Sequence, residues 1–288
     1  MEQGEIKNYK KILVIAPNGG FGNRIRTMVS AIYLADKLNM NLEHLWIGTP
    51  WVCSFSHIQY IHDKSFEYFF KPLIRRCDYE VMKSQIHKSY SEWGEPRFYW
   101  HQFQSYGQKL LDITRTHDLS LVSEAMDTTE HFLIESSYIQ NLSITRNDKT
   151  HIYKKYFIPH DIFSNELNVV PLNTIGISFR IKDFYCYFPD SKIQNEVLIK
   201  WLSSINSPVI LFSDDTNYQL EMRKYLKTPI IPNFENNNVT DNDFLQFLQL
   251  SKCSKLYGTA MSSFCEEAAY FGGAEYIPLT KDFFSIHL

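Results

Sequence analysis

No apolar run in this 288-residue chain approaches the ~18–20 residues that a membrane-spanning helix needs. The opening residues, MEQGEIKNYKK, are charged and contain no apolar leader segment, so the expected location is cytoplasmic, with no membrane span. A dominant charge is missing too. Lys and Arg number 29 against 32 Asp and Glu, a formal net charge of −3, which lacks the basic footprint of a nucleic-acid binder. Cysteine is scarce. The five present (Cys53, Cys77, Cys186, Cys253 and Cys265) show no CxxC spacing, which points to free thiols rather than a disulfide framework or a zinc site. His57 and His62, or His87 and His101, fit no HExxH pattern, so no metal constellation is read. Also absent are a GxSxG hydrolase elbow, a GxGxxG fingerprint and a P-loop lysine.

Apolar and aromatic residues, in contrast, are plentiful. The chain is 44% hydrophobic with 21 Phe and 18 Tyr, enough for one large packed domain or two of ordinary size. In the C-terminal half, short apolar runs alternate with helical patterns. TIGISFRI (174–181), PVILFSDD (208–215), TPIIP, KLYGT (255–259) and AEYIPL read as strands. Between them, helices are predicted over 191–206, from Asn217 to about Leu226, in DNDFLQFLQLSKC and over 262–273, the last with a serine start and a glycine stop. DND (241–243) is read as lying in a polar loop before its helix. The N-terminal half begins in the same way, with a strand at 11–16, a helix from about 22 to 39 and a strand in NLEHLWI. Residues 50–108 are irregular, aromatic and histidine-rich; HFLIESSYI (131–139) is a further strand and 152–168 a helical connection broken near Pro159. The pattern predicts an α/β chain of two Rossmann-like domains, 1–160 and 161–288, with a cleft between them.

Ligands of open parallel sheets bind outside the carboxyl ends of the strands. Just beyond the predicted strands stand Asn18-Gly19-Gly20, then Arg180 with Lys182 and Asp183, then Ser213-Asp214-Asp215, then Thr259 through Ser262-Ser263. Arg180 offers a planar fork for phosphate oxygens, or else a structural ion pair. Ser262 and Ser263 open a helix, where free N–H groups favour a phosphate, or where a serine simply caps. Asp214 and Asp215 suit ribose hydroxyls or a base N–H, although an acid after a strand is ordinarily a turn or a cap. The glycines of NGGFGNR let backbone approach a ligand, and Asn23, Arg24 and Arg26 follow in the first turn of the helix. A nucleotide-linked substrate fits this collection.

Four segments carry a resemblance: GGFGNRIRTMVSAIYLADKL, GISFRIKD, ILFSDD and LSKCSKLYGTAMSSFCEEAAYFGG. In this order they resemble the motifs of the fucosyltransferase-like glycosyltransferases of GT-B fold. The likeness covers residues 11–40 and 174–278 and leaves the middle of the chain without a counterpart. It implies that Gly20, Gly22, Asn23 and Arg24 line the cleft. It further implies that Arg180, with Asp183, binds the donor β-phosphate, that Asp214 and Asp215 hold the nucleoside, and that Ser262, Ser263 and Phe264 bind the donor phosphates. Where the family motif has histidine this chain has Ser178, which leaves the donor open between GDP-fucose and a UDP-pentose such as UDP-xylose.

The reaction implied is an inverting transfer of a sugar from a nucleotide-sugar donor to a glycan or glycoconjugate hydroxyl. Arg180, helped by Arg24 or Arg26 and the Ser262–Ser263 helix start, would stabilise the leaving β-phosphate, with Asn23 beside Arg24 in the cleft, and neither metal nor cofactor is expected. Acceptor-side bases are sought among Asp63, Glu92, Glu95 and Asp112, and sugar-stacking rings among Trp93, Tyr99, Trp100 and Phe103. Two other readings remain open. One is a non-catalytic nucleotide- or sugar-binding protein of the same fold. The other is a dinucleotide enzyme with Glu43 as its ribose acid.

Overall fold

A computed structural model of the chain describes residues 12–17, 20–37, 39–44, 46, 49–52, 59–62, 64–76, 131–136, 144–163, 170–182, 192–232, 234 and 239–287. Strand β1 (Ile12–Pro17) leads through the glycine turn into helix α1 (Phe21–Lys37), which is opened by Arg24 N–H donating to the Gly20 carbonyl at 3.1 Å. Strand β2 (Asn41–His44) follows. Then come an antiparallel pair, β3 (Thr49–Val52) and β4 (Gln59–His62), a one-turn helix α2 (Phe66–Phe69), and strands β5 (Arg75–Arg76) and β6 (His131–Ser136). The first sheet has the order β5-β2-β1-β6, all parallel.

Helix α3 (Arg146–Tyr156) begins earlier than the sequence pattern suggests. Thr145 and Asp148 form a reciprocal capping box there, which fixes the start, and the helix stops ahead of Pro159. After a 3₁₀ turn at 161–163, the second half runs β7 (Ile175–Phe179), α4 (Asn195–Ser204), β8 (Val209–Ser213), α5 (Thr216–Arg223), β9 (Pro229–Ile230) and α6 (Val239–Leu250). It closes with β10 (Lys255–Thr259), α7 (Ser263–Gly272), β11 (Glu275–Leu279) and α8 (Lys281–His287). The second sheet has the order β11-β10-β7-β8-β9, again all parallel. Both orders put the first strand of a half inside and build outward on either side, the doubly wound arrangement.

One expectation needs correction. Asp241, Asn242 and Asp243 lie within the first turn and a half of α6, not in a loop before it. The terminal segment KDFFSIH, left without a prediction, is helix α8, whose Phe283 and Phe284 pack edge-on against Trp201 of α4.

Apolar packing places α4 and α8 on one face of the second sheet, where Ile177, Leu211, Leu198, Leu202 and Phe284 are buried together. The opposite face is covered by α6 and α7. Their core is continuous with that of the first half: Phe21 of α1 packs among Trp46, Phe69, Phe244 and Phe247, at centroid separations of 5.3–5.8 Å. Helix α1 is buried on nearly every side, as expected of a helix between layers.

Candidate functional site

The carboxyl ends of β7 and β8 and the amino ends of α1, α6 and α7 surround one cavity of about 330 Å³. It lies beside the point where the strand order of the second sheet reverses, at β7. Of the residues singled out from the sequence, Gly20, Gly22, Arg180, Asp214, Ser262, Ser263 and Phe264 line it. So do Ser178 and Lys182.

Local bonding explains how each group is held. Arg180 leaves the end of β7 with its backbone N–H donating to Thr259 Oγ1 at 2.9 Å, which ties two strand ends together beneath its side chain. The Asp214 carboxylate accepts from the backbone N–H of Ile181 at 2.8 Å and of Lys182 at 3.3 Å, so it organises the turn that presents both cations. Asp215 does not line the cavity. Its carboxylate caps α5, accepting from Tyr218 N–H at 3.0 Å, and the bland reading of that residue is the observed one. Ser262 sits at the N-cap position of α7 but makes no capping hydrogen bond, so its buried hydroxyl faces the cavity instead of its own helix. Met261 ahead of it adopts φ +67°, a left-handed conformation that costs a non-glycine residue about 1 kcal/mol and turns the chain sharply into the helix.

Helices α1 and α7 meet almost amino end to amino end. Ser263 Oγ donates to Asn23 Oδ1 at 2.7 Å across the junction. A Cβ on Gly22 would lie 2.6 Å from backbone atoms of Phe264, so only glycine allows this approach. Arg26, one turn further, is committed to structure. Its Nε donates to Glu267 at 2.7 Å and an Nη to Glu266 at 2.6 Å, which corrects the idea that it assists at a phosphate. Glu267 is fully buried and also receives Lys149 Nζ at 2.9 Å and the Tyr153 hydroxyl at 2.6 Å. Burial works against its charge, but Lys149, Arg26 and the hydrogen bonds hold this carboxyl below its ordinary range. Arg24 is completely buried, with its guanidinium 5.8 Å from the Trp46 ring centroid, and it is not part of the cavity lining. Desolvation lowers its pKa to about 10.

Asn242, Asp243 and Gln246 of α6 were missed from the sequence, yet all three line the cavity. Asp243 is half-buried and faces Arg180 and Asp214. Desolvation pushes its carboxyl up to about 7; Arg180 opposes the rise and Asp214 reinforces it. The available signal was spacing: these residues recur at i, i+1 and i+4 around the buried Phe244, Leu245, Phe247 and Leu248. Asp63, Glu92, Glu95, Asp112 and Asp183, like Trp93, Tyr99, Trp100 and Phe103, lie outside the described residues. Among the described residues no helix is long and apolar enough to cross a membrane.

Two parallel, doubly wound sheets with a polar cavity at their strand ends define the class, and comparison with solved structures gives it a name. The chain has the fold of the fucosyltransferase-like GT-B glycosyltransferases. It is similar to NodZ α-1,6-fucosyltransferase soaked with GDP-fucose, with a TM-score of 0.58 at 13% identity over 91% of this chain and 92% of that one. It is similar to POFUT1 in complex with GDP-fucose (TM-score 0.57, 13% identity, 93% of this chain and 97% of that one). A mutant of Arabidopsis thaliana FUT1 in complex with GDP superposes with a TM-score of 0.61 at 13% identity, over 94% of this chain and 71% of that one. No family model matches the sequence, and no curated protein does either.

Proposed function

We propose that the cavity binds the diphosphate of a nucleotide-sugar, GDP-fucose or a close analogue, and that the protein transfers the sugar to a hydroxyl of a glycan or glycoconjugate. The observation that carries this reading is the convergence of Arg180, Lys182 and the amino ends of α1 and α7 on one cavity. Each supplies positive potential or free N–H groups where a diphosphate would need them. The fold adds support, since solved structures that share it hold GDP-fucose or GDP. On this reading the two sheets are two Rossmann-like domains, divided near residue 160, and the cavity is the donor side of the cleft between them.

Chemically, the bond from the anomeric carbon to the β-phosphate oxygen breaks as negative charge gathers on the departing diphosphate. Arg180 stabilises that charge with a fixed fork, held in place by the Thr259 bond and the Asp214-organised turn. Because the protein's own cations and helix ends neutralise the leaving group, the transfer needs no metal. The acceptor hydroxyl attacks from the opposite face, giving inversion. Its base is sought in the region that holds Asp63, Glu92, Glu95 and Asp112.

A thermal-shift series with GDP, UDP, GDP-fucose, UDP-xylose and UDP-glucose, with and without EDTA, tests the donor. A ligand at ~100 times its Kd stabilises the native state by about 2.7 kcal/mol. A rise with guanine nucleotides that survives EDTA is the expected result. A rise with uracil nucleotides alone would move the donor to a UDP-sugar, and no rise with any of them would refute the nucleotide-sugar reading. Sugar transfer to an acceptor, absent from a merely binding protein of this fold, tests the enzymatic part. Arg180→Ala should cut that turnover at least ~100-fold without unfolding the protein.

A further inference from the structure

The cavity holds one acid that its other bonds do not explain. Asp214 is spent on the backbone of the Ile181–Lys182 turn. Asp243 is different, because its carboxyl makes no hydrogen bond to a described residue. It projects from near the amino end of α6 into the space bounded by the β7 and β8 strand ends. Among the described residues, the charged groups acting on it are Arg180 beyond β7 and Asp214 beyond β8, and Lys182 lines the same cavity. Among the described lining, α1 and α7 contribute only glycine, phenylalanine and serine.

A nucleoside diphosphate bound here brings further negative charge close to a partly desolvated acid. As carboxylate, Asp243 repels it and competes with it for Arg180. As the neutral acid, it removes the repulsion, leaves Arg180 to the ligand and offers an O–H donor to an anionic oxygen, the use that other sites make of a carboxyl kept protonated by its surroundings. We propose that Asp243 is a further ligand-binding residue of this cavity, accepting the diphosphate only as the neutral acid, so that a donor binding to the ionised form takes up one proton. The proposal rests on the nucleotide-sugar reading. The resting carboxyl is close to half protonated at neutral pH, so the linkage falls in the working range. It also favours exchange: the released nucleoside diphosphate carries more negative charge than the donor, and ionised Asp243 weakens its hold.

The test is the Kd of GDP-fucose from pH 6 to 8.5, measured by titration calorimetry on wild type and Asp243→Asn, with UDP-xylose in parallel. GDP-fucose has no phosphate that titrates in this range, so the slope belongs to the protein. One linked proton predicts a tenfold loss of affinity per pH unit above about 7, or about thirtyfold by pH 8.5 in wild type. Asp243→Asn should bind within about twofold across the whole range, because the amide is neutral and nearly isosteric. A wild-type Kd independent of pH, or the same slope in Asp243→Asn, would overturn the proposal while leaving the donor reading standing. So would affinity that rises with pH, since Asp243 would then be accepting from a nucleobase N–H as carboxylate. Binding of neither nucleotide at any pH would overturn both readings.

Discussion

Gly22→Ala is the most informative single change, because it loads the fold and the site through one methyl group. The new Cβ would sit 2.6 Å from Cα and N of Phe264 and 2.9 Å from the Ser263 carbonyl carbon. These are backbone atoms in the first turn of a helix, so no side-chain rotation relieves the clash. To restore ordinary contact at 3.4 Å, the amino ends of α1 and α7 must separate by about 0.8 Å. Overpacking of this kind costs about 1–3 kcal/mol. In a large domain each kcal/mol lowers the melting temperature by roughly 2–4 °C, so a fall of about 2–12 °C is expected. The same displacement stretches the 2.7 Å bond from Ser263 to Asn23 and widens the cavity wall, so affinity for GDP-fucose should fall with the stability. Gly20→Ala is the matched control. A Cβ at that position meets no described atom within 4 Å, and its stability should stay within about 0.5 kcal/mol of wild type. Differential scanning calorimetry of the two variants decides the matter. If Gly22→Ala melts with wild type, the close approach of the two helices is not real, and the geometry assigned to the cavity goes with it.

Other expectations follow from the same packing. Gly272→Ala would set a Cβ 1.7 Å from the Ser251 carbonyl oxygen, so this variant should be less stable than Gly22→Ala, or fail to fold, by circular dichroism. Glu267→Gln removes the carboxylate that Arg26 and Lys149 share in a buried site and should cost about 3–5 kcal/mol in chemical denaturation. Tyr153→Phe, which loses one hydrogen bond to the same group, should cost about 1.5–3 kcal/mol. Asp243 gives a pH dependence of stability. Its carboxyl rises from 3.8 to about 7 on folding, so the native state keeps a proton that the unfolded chain has released. Stability from this group therefore falls as pH rises through that window. Asp243→Asn, which has no such proton, should gain in melting temperature over wild type between pH 5 and 8; a constant difference would refute the shift.

The strand ends were legible because their physics is local. Apolar runs such as VILF and KLYG end in polar residues within a step or two, and the rule for parallel sheets gathers those residues on one edge. Arg180, Asp214 and Ser262-Ser263 were found in this way and share the cavity. Asp215 illustrates the limit of the approach, since one residue decides whether an acid turns inward or caps the next helix. Asp243 was missed because a polar run, NFENNNVTDND, hid the start of α6, and the spacing of Asn242, Asp243 and Gln246 has meaning only once the helix is known to begin at Val239. The fused core was beyond local reading as well, because Phe21 and Phe244 are brought together only by the docking of α1 on the second half.

The first turns of α1 serve the fold and the site together, and helical spacing makes this possible. Gly22 and Arg26 are four residues apart, so both face α7: the glycine by yielding space, the arginine by ion-pairing with Glu266 and Glu267. Asn23, one residue round the helix, accepts from the hydroxyl of the cavity-lining Ser263 without lining the cavity itself. Arg24 points away into the aromatic core beside Trp46, where it joins the glycine turn to the packing beneath it. A buried ion pair is a weak source of net stability, because desolvation consumes most of its attraction. What the Arg26–Glu267–Lys149 cluster supplies is register. Arg26 comes from α1, Lys149 and Tyr153 from α3, and Glu267 from α7, and all four groups are satisfied in one relative placement of the three helices. That placement holds the two helix amino ends against one cavity, and on the proposed reading their fixed N–H dipoles would stabilise the diphosphate without the cost of reorienting when it arrives.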